Sequence, residues 1–254
     1  MSKYRLAAVA ALLGVMAAGP AFAQAEELDL PKHSWGFEGP FGTYDKASAQ
    51  RGFQIYKEVC SNCHSMKLVY YRNLEGIGLS DAQVKAIAAT VEVPTIGDDG
   101  QPTERPGLPS DHFKSPYPNE KAARAALNGA LPPDQSVLIK AREGGADYIY
   151  DLLTGYSDPP AGMKMGDGMN YNKWFPGHQI AMAAPLVDGR VDYSDGTKAT
   201  LEQEARDITT FLAYVANPEM EERKRIGVRV VLFLAMMTCL TYAVKRQIWS
   251  DVHH

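Results

Sequence analysis

The sequence predicts a mostly α-helical chain: an exported helical domain carrying long loop insertions, followed by one C-terminal transmembrane helix. Three observations carry that expectation. Several stretches repeat apolar residues at three- and four-residue spacing behind helix-starting residues such as Ser80, Asn119 and Thr200. Proline and glycine crowd residues 94–196, notably Ile96 to Pro109, Ser115 to Asn119 and Ser157 to Gly168, which argues for irregular loops and against a sheet. Near the other end, Ile226 to Val244 is a run of mostly Val, Leu, Ala, Met and Ile.

In chain order, residues 1–23 read as a secretory signal. Lys3 and Arg5 form a basic start, Leu6 to Ala18 a short apolar run, and Ala21-Phe22-Ala23 a small-x-small cleavage site. The run is too short to span a bilayer, so removal is expected. Removal takes the net charge from −4 to −6, and nucleic acid is not expected as a partner. About 200 residues remain for one exported domain, residues 24–225, without internal repeats.

Ala47 to Val59 is the first predicted helix, with Phe53 and Tyr56 on one apolar side. Ser80 caps a second, to Val91, and Asn119 caps a third that Gly129 stops. Gly145 to Tyr156 continues the pattern. Leu201 to Ala216 is the clearest, with Leu201, Ala205, Ile208, Leu212 and Val215 in register behind a Thr200/Gln203 capping box. Pro218 then breaks that helix, and the haem pocket is expected to need nothing beyond it.

Ile226 to Val244 measures about 28 Å as a helix, matching a hydrocarbon core of about 30 Å. A buried core helix is the competing reading. Basic clusters at both ends, Arg223-Lys224-Arg225 and Lys245-Arg246, and Trp249 beyond them weaken it. Arg229 lies one turn inside and can snorkel to the headgroups. With basic residues on both flanks, orientation rests on the signal. A long domain behind a cleaved signal is translocated, so residues 24–225 are expected in the periplasm, 226–244 in the membrane and 245–254 in the cytoplasm.

The chemistry lies in Cys60-Ser61-Asn62-Cys63-His64. Two thiols three positions apart, followed by histidine, form the attachment motif of a c-type haem. Each thiol can add across one porphyrin vinyl group, and the imidazole is then held beneath the iron. Structural zinc would need a second Cys/His cluster, and a thioredoxin-like pair a βαβ pattern; neither is found. One covalent haem c per chain is therefore expected. With Cys60 and Cys63 committed and Cys239 alone in the apolar run, a structural disulfide is not expected.

An electron-transfer haem is normally six-coordinate, and methionine sulfur suits the second axial position. Met66 lies too close to His64 to cross the ring. Met163, Met165 and Met169 fall in a Gly/Asp/Lys-rich loop, and Met220 in a charged linker. Met182, within Ile180-Ala181-Met182-Ala183-Ala184-Pro185-Leu186, sits in a small, apolar, proline-stiffened setting. It is the leading candidate, with His178 the alternative.

These residues resemble the cytochrome c1 family, in its bacterial form. The likeness runs through Arg51-Gly52-Phe53-Gln54-Ile55-Tyr56, Ser65-Met66, Pro116-Tyr117-Pro118-Asn119, Asn128-Gly129-Ala130-Leu131-Pro132-Pro133-Asp134, Leu153-Thr154-Gly155-Tyr156 and Phe175-Pro176-Gly177. It implies a class I cytochrome c-like domain with long loop insertions, whose first helix packs on the last soluble one, Gly52 and Phe53 near Leu212 and Tyr214. It also implies Met182 as distal ligand and Arg142 beside a haem propionate, with Tyr148 close by. From its own surroundings in sequence, Arg142 reads as a solvated surface charge. An extra loop cysteine pair found in some bacterial relatives is missing here.

The resemblance implies an electron relay in the quinol–cytochrome c oxidoreductase of a bacterial inner membrane. Its partners there are the cytochrome b subunit, the Rieske iron–sulfur protein and a cytochrome c acceptor. The chain's enzymatic standing is that of a subunit; it makes no bond itself. Glu92, Asp98, Asp99 and Glu104 lie in a segment read as flexible and could steer a basic acceptor. The rival functions are a free-standing anchored carrier and a haem ligand sensor, the latter needing a displaceable distal ligand and a polar pocket.

Overall fold

A computed structural model describes residues 29–251. The signal segment and the last three residues lie outside the described residues. Helices dominate: α1 Lys46–Glu58, α2 Asp81–Ala88, α3 Glu120–Ala126, α4 Gly145–Thr154, α5 Leu201–Ala216 and α6 Met220–Ile248. The helix starts follow local chemistry. Asp45 accepts from Ala47 N and Ser48 N, Ser80 from Gln83 N, Asn119 from Ala122 N and Thr200 from Gln203 N, each satisfying amides that the first turn leaves bare. At Thr200 only half of the expected box forms, because the Gln203 amide turns to Asp207 Oδ1 at 3.0 Å.

The core is the crossing of α1 and α5. At Gly52 the two backbones nearly touch: a Cβ there would lie 2.6 Å from Phe211 Cβ and closer still to the Asp207 carbonyl, so only glycine fits. Ile55, Leu74, Ile77, Ile208 and Phe211 are fully buried around it, and the Phe53 and Phe211 rings stand 5.7 Å apart. Leu212 is buried in the same core, whereas Tyr214 faces elsewhere. Tyr214 instead packs edge-on to Tyr44 and bonds the Asn73 carbonyl; the crossing belongs to Asp207 and Phe211. A polar seam runs beside it. Asp207, fully buried, accepts from Arg51 Nε at 2.8 Å and Nη2 at 3.0 Å, and from Ser48 Oγ at 2.7 Å, so its charge is paired on every side.

Two findings correct the sequence reading. The proline-rich segment after α2 is a hairpin, β1 Glu92–Ile96 against β2 Pro102–Pro106, with Thr95 opposite Thr103. A two-stranded ribbon is all edge, so its prolines need not donate to a ladder. Arg105 ties its base to Asp111 through two bonds, 2.6 and 2.9 Å. The four acids are therefore exposed on a defined ribbon and its turn rather than in a flexible segment.

The domain's packing also continues past Pro218. Met220 is buried in the core. The N-terminal strap before α1 is clipped to the first turns of α6: Tyr44 N donates to Glu221 Oε1 at 2.8 Å, and Lys224 Nζ to Phe37 O at 2.7 Å and Gly42 O at 3.0 Å. Proline breaks the helix, but burial carries the domain past the break. Beyond Lys224, α6 is long and apolar enough to cross a membrane, with none of its apolar stretch buried in the domain.

Candidate haem-binding site

The site begins where α1 stops. Beyond the Val59 cap the chain tightens into a 3₁₀ turn, Cys60–Asn62, in which Cys63 N and His64 N both donate to Cys60 O, at 3.1 and 2.8 Å. Ser61 Oγ and Asn62 Nδ2 turn back to the Lys57 and Glu58 carbonyls, 2.8 and 3.1 Å away, covering acceptors that the helix end leaves open. This turn brings Cys60, Cys63 and His64 together. Both thiols are unpaired and half-buried. Burial first, and the neighbouring Cys63 second, push the Cys60 thiol up to about 12, so it stays protonated.

His64 is aimed by a partner far away in sequence. Its Nδ1 lies 2.9 Å from the Pro133 carbonyl. A carbonyl only accepts, so Nδ1 carries the proton and Nε2 keeps the lone pair. Burial lowers the imidazole's pKa, with the Pro133 bond opposing, which favours the neutral ring.

Asp134 holds the Pro133 carbonyl in place. Its carboxylate accepts from Ser65 Oγ at 2.7 Å, Lys67 N at 2.9 Å and Ser136 N at 2.9 Å. Gln135 N donates to Ser65 O at 2.8 Å and Leu68 N to Ser136 Oγ at 3.0 Å. Burial opposes ionisation of Asp134, but the bonds from Ser136, Lys67 and Ser65 together outweigh it and hold the carboxyl below its usual range. Sequence reading missed this brace. Asp134-x-Ser136 is a local turn signature, but nothing local points to partners about 70 positions away.

Met182 comes from a separate part of the fold. A small ribbon, β3 Asn170–Tyr171 with β4 Gln179–Ile180, leads into it. Met182 is half-buried, while Ala181, Ala183 and Ala184 are exposed. His178 is built into the ribbon's turn: its carbonyl accepts from Asn172 N at 3.1 Å, and its φ is +58°. Arg142 is exposed, its Nη1 donating to Ala141 O at 2.9 Å. Burial raises the pKa of the Tyr148 hydroxyl, and the charge of Arg142 opposes that rise. No hydrogen bond among the described residues joins Arg142 to the cysteine turn or to Met182.

The donor set fits a covalently attached haem: two free thiols in the required order, and an imidazole with Nδ1 occupied and Nε2 available. Together with the helical domain and its apolar terminal helix, this defines a c-type cytochrome with a membrane anchor. The model of the Cytochrome C1 family matches residues 35–252, and the chain belongs to that family. It is 46% identical to cytochrome c1 of Rhodospirillum rubrum over 94% of this chain and 95% of that one. It is 49% identical to the mitochondrial cytochrome c1 heme protein of Saccharomyces cerevisiae, over 89% of this chain and 74% of the relative. A protein of Bradyrhizobium diazoefficiens named cytochrome b/c1 is 44% identical over 88% of this chain, which spans 36% of it.

Proposed function

We propose that this chain is the haem-bearing electron relay of a quinol–cytochrome c oxidoreductase. It takes single electrons from the Rieske iron–sulfur protein and passes them to a cytochrome c. The observation that carries the reading is the turn Cys60–His64, with both thiols free and His64 Nδ1 bonded to Pro133 O. Haem c supplies the one-electron chemistry of its iron when bound. Cys60 and Cys63 would hold it covalently, His64 and Met182 would ligate its iron, and Arg142 would pair with a propionate. Family membership and the family's complex-subunit names support assembly with a cytochrome b subunit. A relative in Candida albicans is named cytochrome b-c1 complex catalytic subunit.

In this reading the chain's own residues bind, orient and insulate the haem, and quinol oxidation belongs to the cytochrome b subunit. Residues 24–225 face the periplasm and 245–254 the cytoplasm, with the exposed acids of the β1–β2 ribbon offered to a basic acceptor. Three measurements test the reading. Denatured protein purified from membranes keeps its haem through acid–acetone extraction, and Cys60→Ala or Cys63→Ala leaves at most one thioether or no stable holoprotein. In mild detergent a cytochrome b and an iron–sulfur protein co-purify. Haem that washes out, or a chain that purifies alone, overturns it.

A further inference from the structure

We infer that Tyr156 is the positioning residue of the distal loop: its hydroxyl holds the backbone of Met182 where the thioether can reach the iron. The inference rests on Met182 as the distal ligand proposed above. Tyr156 Oη donates to the Met182 carbonyl at 3.1 Å, across 26 positions. Among the described residues it is the one hydrogen bond made to the backbone of residues 181–186. Packing anchors the loop at its ends, through buried Ile180 and Leu186, but Ala181, Ala183 and Ala184 beside Met182 are exposed.

The donor itself is firmly mounted. Tyr156 follows the Gly155 cap of α4 and forms an antiparallel bridge with Asn172. Asn172 is fully buried, donating to Leu152 O at 2.7 Å and accepting from Trp174 N at 3.0 Å. Burial raises the Tyr156 hydroxyl's pKa, which keeps it a neutral donor. Methionine has three freely turning bonds, so the aim of its sulfur depends on where its own backbone stands. A bond to that residue's carbonyl is the shortest route to fixing it. Losing one such bond, worth about 0.5–1.5 kcal/mol, raises the open-loop population about 2- to 10-fold.

The test uses the full chain, haem-loaded and extracted from membranes. Tyr156→Phe removes one oxygen and is expected to keep covalent haem. Its oxidised form should show a weaker methionine–iron charge-transfer band, and its reduced form should bind carbon monoxide about 2- to 10-fold faster. Placed in a Met182→Leu background, the same change should add nothing to the carbon monoxide rate, since no sulfur remains to be positioned. A general structural role would add its own effect there. A native band and rate in Tyr156→Phe, while Met182→Leu alters both, overturns the Tyr156 inference alone; so does an equal effect in both backgrounds. A native band and rate in Met182→Leu overturns the ligand assignment and the inference with it.

Discussion

The turn bearing Cys60, Cys63 and His64 and the loop bearing Met182 differ in how the fold holds them. The first is stitched to a segment about 70 residues away by the bonds of Pro133, Asp134, Gln135 and Ser136, and it hangs from α1, which is locked to α5 at Gly52. The second follows a ribbon of two residue pairs and takes a single backbone bond, from Tyr156. The difference teaches a division of labour. Attachment and proximal aim are consequences of the folded core, so changes there register as stability. The Met182 loop reaches the core at Leu186 but leaves its three alanines exposed, so with Met182 as the proposed ligand, changes around it should register at the iron more than in stability.

The strongest way to break the comparison is Gly52→Ala. A methyl at the crossing must push α1 from α5, costing about 3 kcal/mol or more, read as a lower denaturant midpoint and less holoprotein. A midpoint unchanged from wild type would show that the proximal turn does not depend on the crossing. Next is the boundary. A chain stopped after residue 217 loses buried Met220 and the Tyr44–Glu221 and Lys224 clips, and should be about 2–4 kcal/mol less stable than one stopped after residue 225. Equal melting of the two would return the domain's end to Pro218.

Asp134→Ala strands three donors and should cost about 2–3 kcal/mol, measured by chemical unfolding, without releasing covalent haem. Its pH dependence has a definite sign. The folded carboxyl is held below its usual value, so its contribution is present above the unfolded value of about 3.9 and is lost as pH falls through the folded one. The gap in midpoint between wild type and Asp134→Asn should thus be widest near neutrality and close in acid; a constant gap sinks the brace. Met182→Leu should have the smallest effect on stability, under about 1.5 kcal/mol because volume is kept. It should nonetheless lower the potential and open the reduced iron to carbon monoxide. A native potential would move the ligand assignment to His178.

Much of this was legible along the chain. Ser80, Asn119 and Thr200 start their helices as expected because a cap is a contact within three residues. The haem motif is legible for the same reason: its three donors must share one turn, so their spacing is the chemistry. Pro218 was read correctly as a helix break, but nothing in the sequence showed that packing continues beyond it, since a break is local while the burial of Met220 is decided by what packs on it. The hairpin was missed because proline density argues against a ladder in general but not in an isolated two-stranded ribbon.

What the sequence determined by itself is therefore the set of local facts: helix starts, the thiol and imidazole spacing, and an apolar segment of membrane length. The tertiary structure alone decided which carbonyl orients His64, which carboxylate holds that carbonyl, where α1 and α5 touch, and which hydroxyl reaches Met182. Each of those contacts joins residues far apart in the chain, where neither period nor propensity carries information. They exist only once burial has brought the segments together and every buried polar group must find a partner.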